Sequence, residues 1–144
     1  MLAAALVLGS CGERGSTSEE YYSTEVIFPN GKKVLAESIR DPITMQRGMM
    51  FRDKLDAGRG MLFTHGQAGN FAYWMHNVKM PLDIIWLDAQ RDIVEIVESA
   101  APCPRKPCPS IGGNKPALFV LEVNGGVARE NNLKPGDRLK LVGF

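Results

Sequence analysis

The sequence is poor in the features from which function is usually read. It carries no excess of positive charge: 17 Lys and Arg against 16 Asp and Glu leave a formal net charge of +1. Its adjacent basic residues, Lys32-Lys33 and Arg105-Lys106, are short pairs rather than a stripe able to displace counterions, so no nucleic-acid partner is expected. No apolar run reaches the roughly 20 residues that a membrane-spanning helix needs. The 3 cysteines and 2 histidines do not fall at a zinc-site spacing, so neither a metal site nor a cofactor is expected. A phosphate-cradling glycine loop, a serine nucleophile elbow and a Cys-x-x-Cys pair are all missing, and no catalytic residue can be named from motif alone.

What is present fits a folded, exported domain. The 144 residues, 44% of them hydrophobic and 23% charged, suit one domain with its own core, and a monomer is expected. Residues 1–10, MLAAALVLGS, are uncharged and mostly apolar. They read as the remnant of a signal peptide lacking its basic start. Leu8-Gly9-Ser10-Cys11 resembles a bacterial lipobox, in which Cys11 would be acylated and would be the chain's attachment to a membrane. Residues 11–23 are rich in Gly, Ser, Thr and Glu and read as a flexible tether. The globular part is expected over residues 24–144, on a periplasmic or cell-surface lipoprotein. Cys103 and Cys108, set among four prolines in Ala101-Pro-Cys-Pro-Arg-Lys-Pro-Cys-Pro109, are expected to form a disulfide, which suits an oxidising compartment.

Within the globular part, residues 25–28 and 32–39 flank Pro29-Asn30-Gly31 and predict a β-hairpin. Asp41-Pro42 offers an N-cap and a proline at the first helical position, so a short helix is expected from Pro42 to about Phe51. Three strands are expected over 71–76, 82–87 and 93–98, with a turn at Asp88-Ala-Gln-Arg91. A fourth follows over 117–123, then a short helix within 125–132 and a closing strand over 138–142. The fold class predicted is α+β and mostly β: a compact, barrel-like antiparallel or mixed sheet with one or two short helices.

Several blocks occur in a fixed order: Arg47-Gly-Met-Met-Phe-Arg52, Gly60-Met-Leu-Phe63, Tyr73-Trp-Met-His-Asn77, Pro81-Leu-Asp-Ile84, the ALFVLEV run over 117–123, Gly126 and Pro135-Gly-Asp137. Together they resemble the bacterial and archaeal family called domain of unknown function 192, over roughly residues 24–144. The resemblance implies a small β-rich α+β domain, often exported, and no agreed activity. The family pattern usually reads Trp-Met-Lys-Asn-Thr where this chain has Trp74-Met75-His76-Asn77-Val78. A shared site using that lysine and threonine would be altered here.

Two carboxylates stand on otherwise apolar strands. At period two, Asp83 shares a face with Ile85 and Leu87, and Glu122 shares one with Leu118 and Val120. A buried carboxylate must find a cation or donors, or keep its proton. On the helix, Arg47 falls in one sector with Ile43, Met50 and Phe51, which predicts a pairing of Arg47 with Asp83 or Glu122. In the structural reading this is an ion pair that fixes helix to sheet. In the functional reading Trp74, His76 and Asn77 join the cluster to bind a small polar ligand or an envelope partner. A hydrolase acting on cell-envelope material, with Asp83 and Glu122 as acid and base, is one alternative. Copper handling by Met45, Met49, Met75 and Met80 with histidine is another, against their use as core filler.

Overall fold

A computed structural model describes residues 22–144. The signal-peptide remnant, the Cys11 lipobox and nearly all of the tether lie outside the described residues. Seven strands form one mixed sheet in the order β5-β4-β6-β3-β2-β1-β7. The strands are β1 (Ser23–Ile27), β2 (Lys33–Ile39), β3 (Arg59–Gly69), β4 (Leu82–Leu87), β5 (Ile93–Ala100), β6 (Ala117–Asn124) and β7 (Lys140–Val142). The helices are α1 (Pro42–Arg47) and α2 (Val127–Glu130). The α+β, mostly β class is therefore observed.

Local chemistry accounts for most of these elements. In the β1–β2 turn Gly31 takes φ +84° and Asn30 Oδ1 accepts the Lys32 N–H at 3.0 Å, as an Asn-Gly hairpin requires. The side chain of Asp41 caps α1 by accepting the Thr44 N–H at 2.8 Å. α1 stops at Arg47, short of Phe51, because Gly48 turns the chain at φ +46° with the Phe63 ring only 3.3 Å from where its Cβ would be. α1 lies on the crossover between β2 and β3, which pair in parallel, as such a crossover permits. All six residues of β4 are buried, since β5 and β6 flank it.

Alternation along the strands separates two cores. Leu62, Ile85, Leu121 and Val123 pack on one side with Val26, Ala128 and Leu139. Met61, Phe63, Ile84, Trp86 and Val120 pack on the other, with Met49, Met75 and Val78. Met49 and Met75 thus serve as core residues.

Two expectations need correction. The sheet is not a closed barrel. Its outer strands, β5 and β7, do not pair as strands; they approach through the Asp92–Arg138 bridge and the bonds Ile93 N–H to Asp137 O (2.8 Å) and Leu139 N–H to Arg91 O (3.0 Å). The segment 71–76 is not a strand either. It makes isolated bridges at Tyr73–Ile111 and His76–Cys103. Its neighbour is the loop holding Pro102, Pro104, Pro107 and Pro109, which lack the N–H groups a continuous ladder needs.

Candidate functional site

Adjacent strands decide where the two buried carboxylates point. In the β4–β6 register Asp83 stands opposite Val123, and Glu122 opposite Ile84. Directly paired residues project to the same face, so Asp83 and Glu122 lie on opposite faces of the sheet. They cannot flank one substrate, and the two-carboxylate hydrolase geometry is lost.

Asp83 is enclosed and fully engaged. Its Oδ1 accepts the N–H groups of Ser99 (2.7 Å) and Gly126 (3.0 Å), and its Oδ2 that of Ala128 (2.7 Å). Ser99 lies in a β-bulge of β5, where Leu82 faces Ala100 but Ile84 faces Val97. Gly126 and Ala128 open α2, which has no capping side chain of its own. The carboxylate thus supplies acceptors that the bulge and the helix start lack. It ties the β5 bulge to the start of α2.

Glu122 lies in a different setting. A row of side chains crosses three strands, with Met61 opposite both Glu37 and Glu122. Arg52 makes a two-pronged pair with Glu37 at 2.6 and 2.7 Å. Glu122 is 4% exposed, and its Oε2 has no hydrogen-bond partner. Burial pushes its pKa up to about 8, against the opposing pull of the Arg52 guanidinium. Burial and the nearby Glu122 also raise the Tyr73 phenol. The Tyr73 hydroxyl is hydrogen-bonded to His65 Nε2 at 3.2 Å. Burial lowers the pKa of His65, whose ring stacks on Phe71 at 3.5 Å.

Above this cluster lies an open, mostly apolar groove of ≈ 690 Å³ between α1 and the segment 71–74, walled by Ile43, Met50, Phe51, Phe71 and Trp74. A recess of ≈ 30 Å³ reaches Glu122 from the same walls; Met45, Gln46, Arg47, Met50, Tyr73 and Trp74 line both spaces. Ile43, Phe51 and Trp74 are exposed at the rim, at 83%, 59% and 42%. The Phe71 side of the groove is braced from behind. Trp86 Nε1 donates to Phe71 O at 2.8 Å, and Tyr73 exchanges two backbone bonds with Ile111. Gly113, at φ +74°, lies so close that a Cβ would come within 2.6 Å of Ala72 N.

The predicted residues divide accordingly. Arg47, Trp74 and Glu122 all line the small recess, and Arg47 and Trp74 also line the groove. Arg47 is exposed and, among the described residues, forms no ion pair with Asp83 or Glu122; the arginine acting on Glu122 is Arg52. His76 leans on Trp74 at 5.2 Å but does not line the groove. Asn77 turns the backbone at φ 55°, accepting from Phe51 N–H at 2.9 Å and donating to Cys103 O at 3.1 Å. Cys103 and Cys108 form the expected disulfide, with a Cα–Cα distance of 5.9 Å. Sequence reasoning missed Glu37, Arg52, His65, Phe71 and Tyr73. Glu37 had a readable signal: an acid between Leu35 and Ile39 on one face of β2, followed in sequence by the arginine-bearing block.

Comparison with known proteins places this architecture. A crystal structure from Sinorhizobium meliloti 1021, of a protein named as a candidate transcription regulator, superposes with a TM-score of 0.75 at 29% identity, covering 90% of this chain and 100% of that one. A protein of unknown function from Novosphingobium aromaticivorans DSM 12444 gives a TM-score of 0.70 at 31% identity, covering 82% and 83%. No curated protein matches the chain. The model of the DUF192 family, described as uncharacterised ACR, matches residues 25–141. The chain belongs to the DUF192 family.

Proposed function

We propose that this is a binding domain for a small amphiphilic molecule, held in the groove between α1 and the segment 71–74. The observation that carries the reading is Glu122: a 4%-exposed carboxylate with an unpartnered oxygen, lining a small recess that shares walls with an open apolar groove. Leaving a buried polar atom unpaired costs free energy that a purely structural residue would recover by finding donors, as Asp83 does. Exposed apolar side chains converging on one concavity support the same reading. The name of the Sinorhizobium relative suggests DNA, but a net charge of +1 gives little electrostatic basis for that.

The setting proposed is the cell envelope. The lipobox-like Cys11 supports it, as does a disulfide of the kind that persists in oxidising compartments.

A thermal-shift screen of aromatic and aliphatic fragments against the full chain tests the binding reading. A ligand at 100 times its dissociation constant adds about 2.7 kcal/mol of stability. Stabilisation that disappears in Trp74→Ala, a substitution at a half-exposed wall residue, places the ligand in the groove. Hits that act equally on wild type and Trp74→Ala would refute that location.

A further inference from the structure

The recess beside Glu122 is selective by size and by charge. At ≈ 30 Å³ it admits roughly one water-sized group. Its lining includes Glu122, Tyr73, Trp74 and Met49, with Gln46 and Arg47 also on its walls. A ligand carboxylate there would oppose Glu122 in a site with little water to screen the two charges. A hydroxyl beside the Glu122 carboxyl would add no charge attraction. An ammonium group matches the recess in size, carries the charge opposite to an ionised Glu122, and meets Tyr73 and Trp74, whose ring types favour cations.

The other titratable and charged groups of this cluster leave that preference standing. Arg52 is paired with Glu37 through both prongs. His65 is pushed towards its neutral form by burial and faces Tyr73. Tyr73 keeps its proton. Arg47 lines both groove and recess but is exposed to solvent, where water and salt screen it. When ionised, Glu122 is offset in part by the pull of Arg52, whose guanidinium is shared with Glu37.

We infer that the groove takes a primary amine carried on an aromatic or aliphatic body, with the ammonium in the recess against Glu122 and the body between α1 and Trp74; this rests on the groove being a ligand site. Binding is coupled to proton release. With the Glu122 carboxyl pushed up to about 8, the arriving ammonium displaces the carboxyl proton to solvent. Affinity then rises with pH, by up to roughly tenfold per unit below that value, and levels above it.

The test is calorimetry on the full chain with three probes of one body: 2-phenylethylamine, 2-phenylethanol and N,N,N-trimethyl-2-phenylethylammonium. The amine is expected to bind best, the alcohol to lack the charge, and the trimethyl cation to be too wide for the recess. Amine affinity is expected to climb between pH 6 and 8, and to fall roughly 30-fold with loss of the pH slope in Glu122→Gln. The pH slope and the ranking of the probes are read on wild type, so they decide the matter even if the variant folds poorly. If the alcohol binds as tightly as the amine and both depend on Trp74, the groove is a ligand site and the amine inference fails. If the trimethyl cation binds as well as the amine, the recess does not select and the inference fails. If no probe binds at millimolar concentration, or binding ignores both Trp74→Ala and Glu122→Gln, the amine inference fails here too. The groove reading then falls as well if the fragment screen gives no hit that depends on Trp74.

Discussion

Two carboxylates on neighbouring strands of one sheet, both almost fully buried, have opposite fates in this protein. Asp83 faces the core that includes α2 and accepts three backbone N–H groups. Glu122 faces the side covered by the segment after α1 and keeps an oxygen without a partner. Burial alone thus says little about a carboxylate's purpose. The donors around it decide whether burial stabilises the fold or leaves an acceptor available to something else. The two sides of the sheet differ in the same way. The Asp83 side is tied by backbone bonds, whereas the Glu122 side opens into a groove with exposed apolar walls.

The sharpest way to break this contrast is to remove each carboxylate. Asp83→Ala leaves three N–H groups without their acceptor and is expected to cost about 4 kcal/mol in urea denaturation. A loss of less than about 1 kcal/mol would end its assignment as a structural tie.

The opposite is expected for Glu122, and it shows as a pH dependence. Its folded-state pKa lies above the ordinary 4.5, at about 8. Between those values the folded protein holds a proton that the unfolded chain has released. Its contribution to stability is therefore full below about pH 4.5 and is lost as pH rises through about 8, by up to about 1.4 kcal/mol per unit. Glu122→Gln removes this slope, so the stability difference between wild type and variant should drift by about 3 kcal/mol from pH 5 to 8. Parallel pH profiles would show that Glu122 is solvated or paired.

Smaller changes sharpen the picture. Arg52→Met leaves the part-buried Glu37 unpaired and is expected to cost about 2 kcal/mol. It should also move the Glu122 titration upward, since Arg52 pulls it down; carboxyl NMR titration reads this directly. Replacing Cys103 and Cys108 by serine opens a short loop and is expected to cost about 2 kcal/mol or less, measured by denaturation under matched conditions. Arg47→Ala, at an exposed residue that pairs with neither carboxylate, should change stability by less than about 0.5 kcal/mol.

Much of this was legible before any coordinates. The Asn30-Gly31 hairpin, the Asp41-Pro42 helix start, the strand at 82–87 and the Cys103–Cys108 bridge follow from signals between residues close in sequence. The candidate site was legible in part. Arg47, Trp74 and Glu122 do gather around the recess, yet the partners were misassigned, because an arginine in an apolar stripe does not reveal which acid it meets. Arg47 ended exposed on the groove wall and Arg52, five residues later, took Glu37. His65 and Tyr73 stand eight residues apart, with no periodicity to join them. They meet because Tyr73 is bonded to Ile111 while His65 lies in the irregular stretch of β3 between Thr64 and Gly69.

The amino-acid sequence by itself determined the face that each carboxylate shares within its own strand: Asp83 with Ile85 and Leu87, Glu122 with Val120. Side chains alternate at period two along any strand, and that alternation needs no partner to be read. Only the tertiary structure decided whether those two faces coincide. The answer depends on the register between β4 and β6, strands more than 30 residues apart, where a slip of one residue would exchange the faces. With Asp83 opposite Val123, the two acids are held on opposite sides of the sheet. One became a tie and the other lines a recess beside the groove.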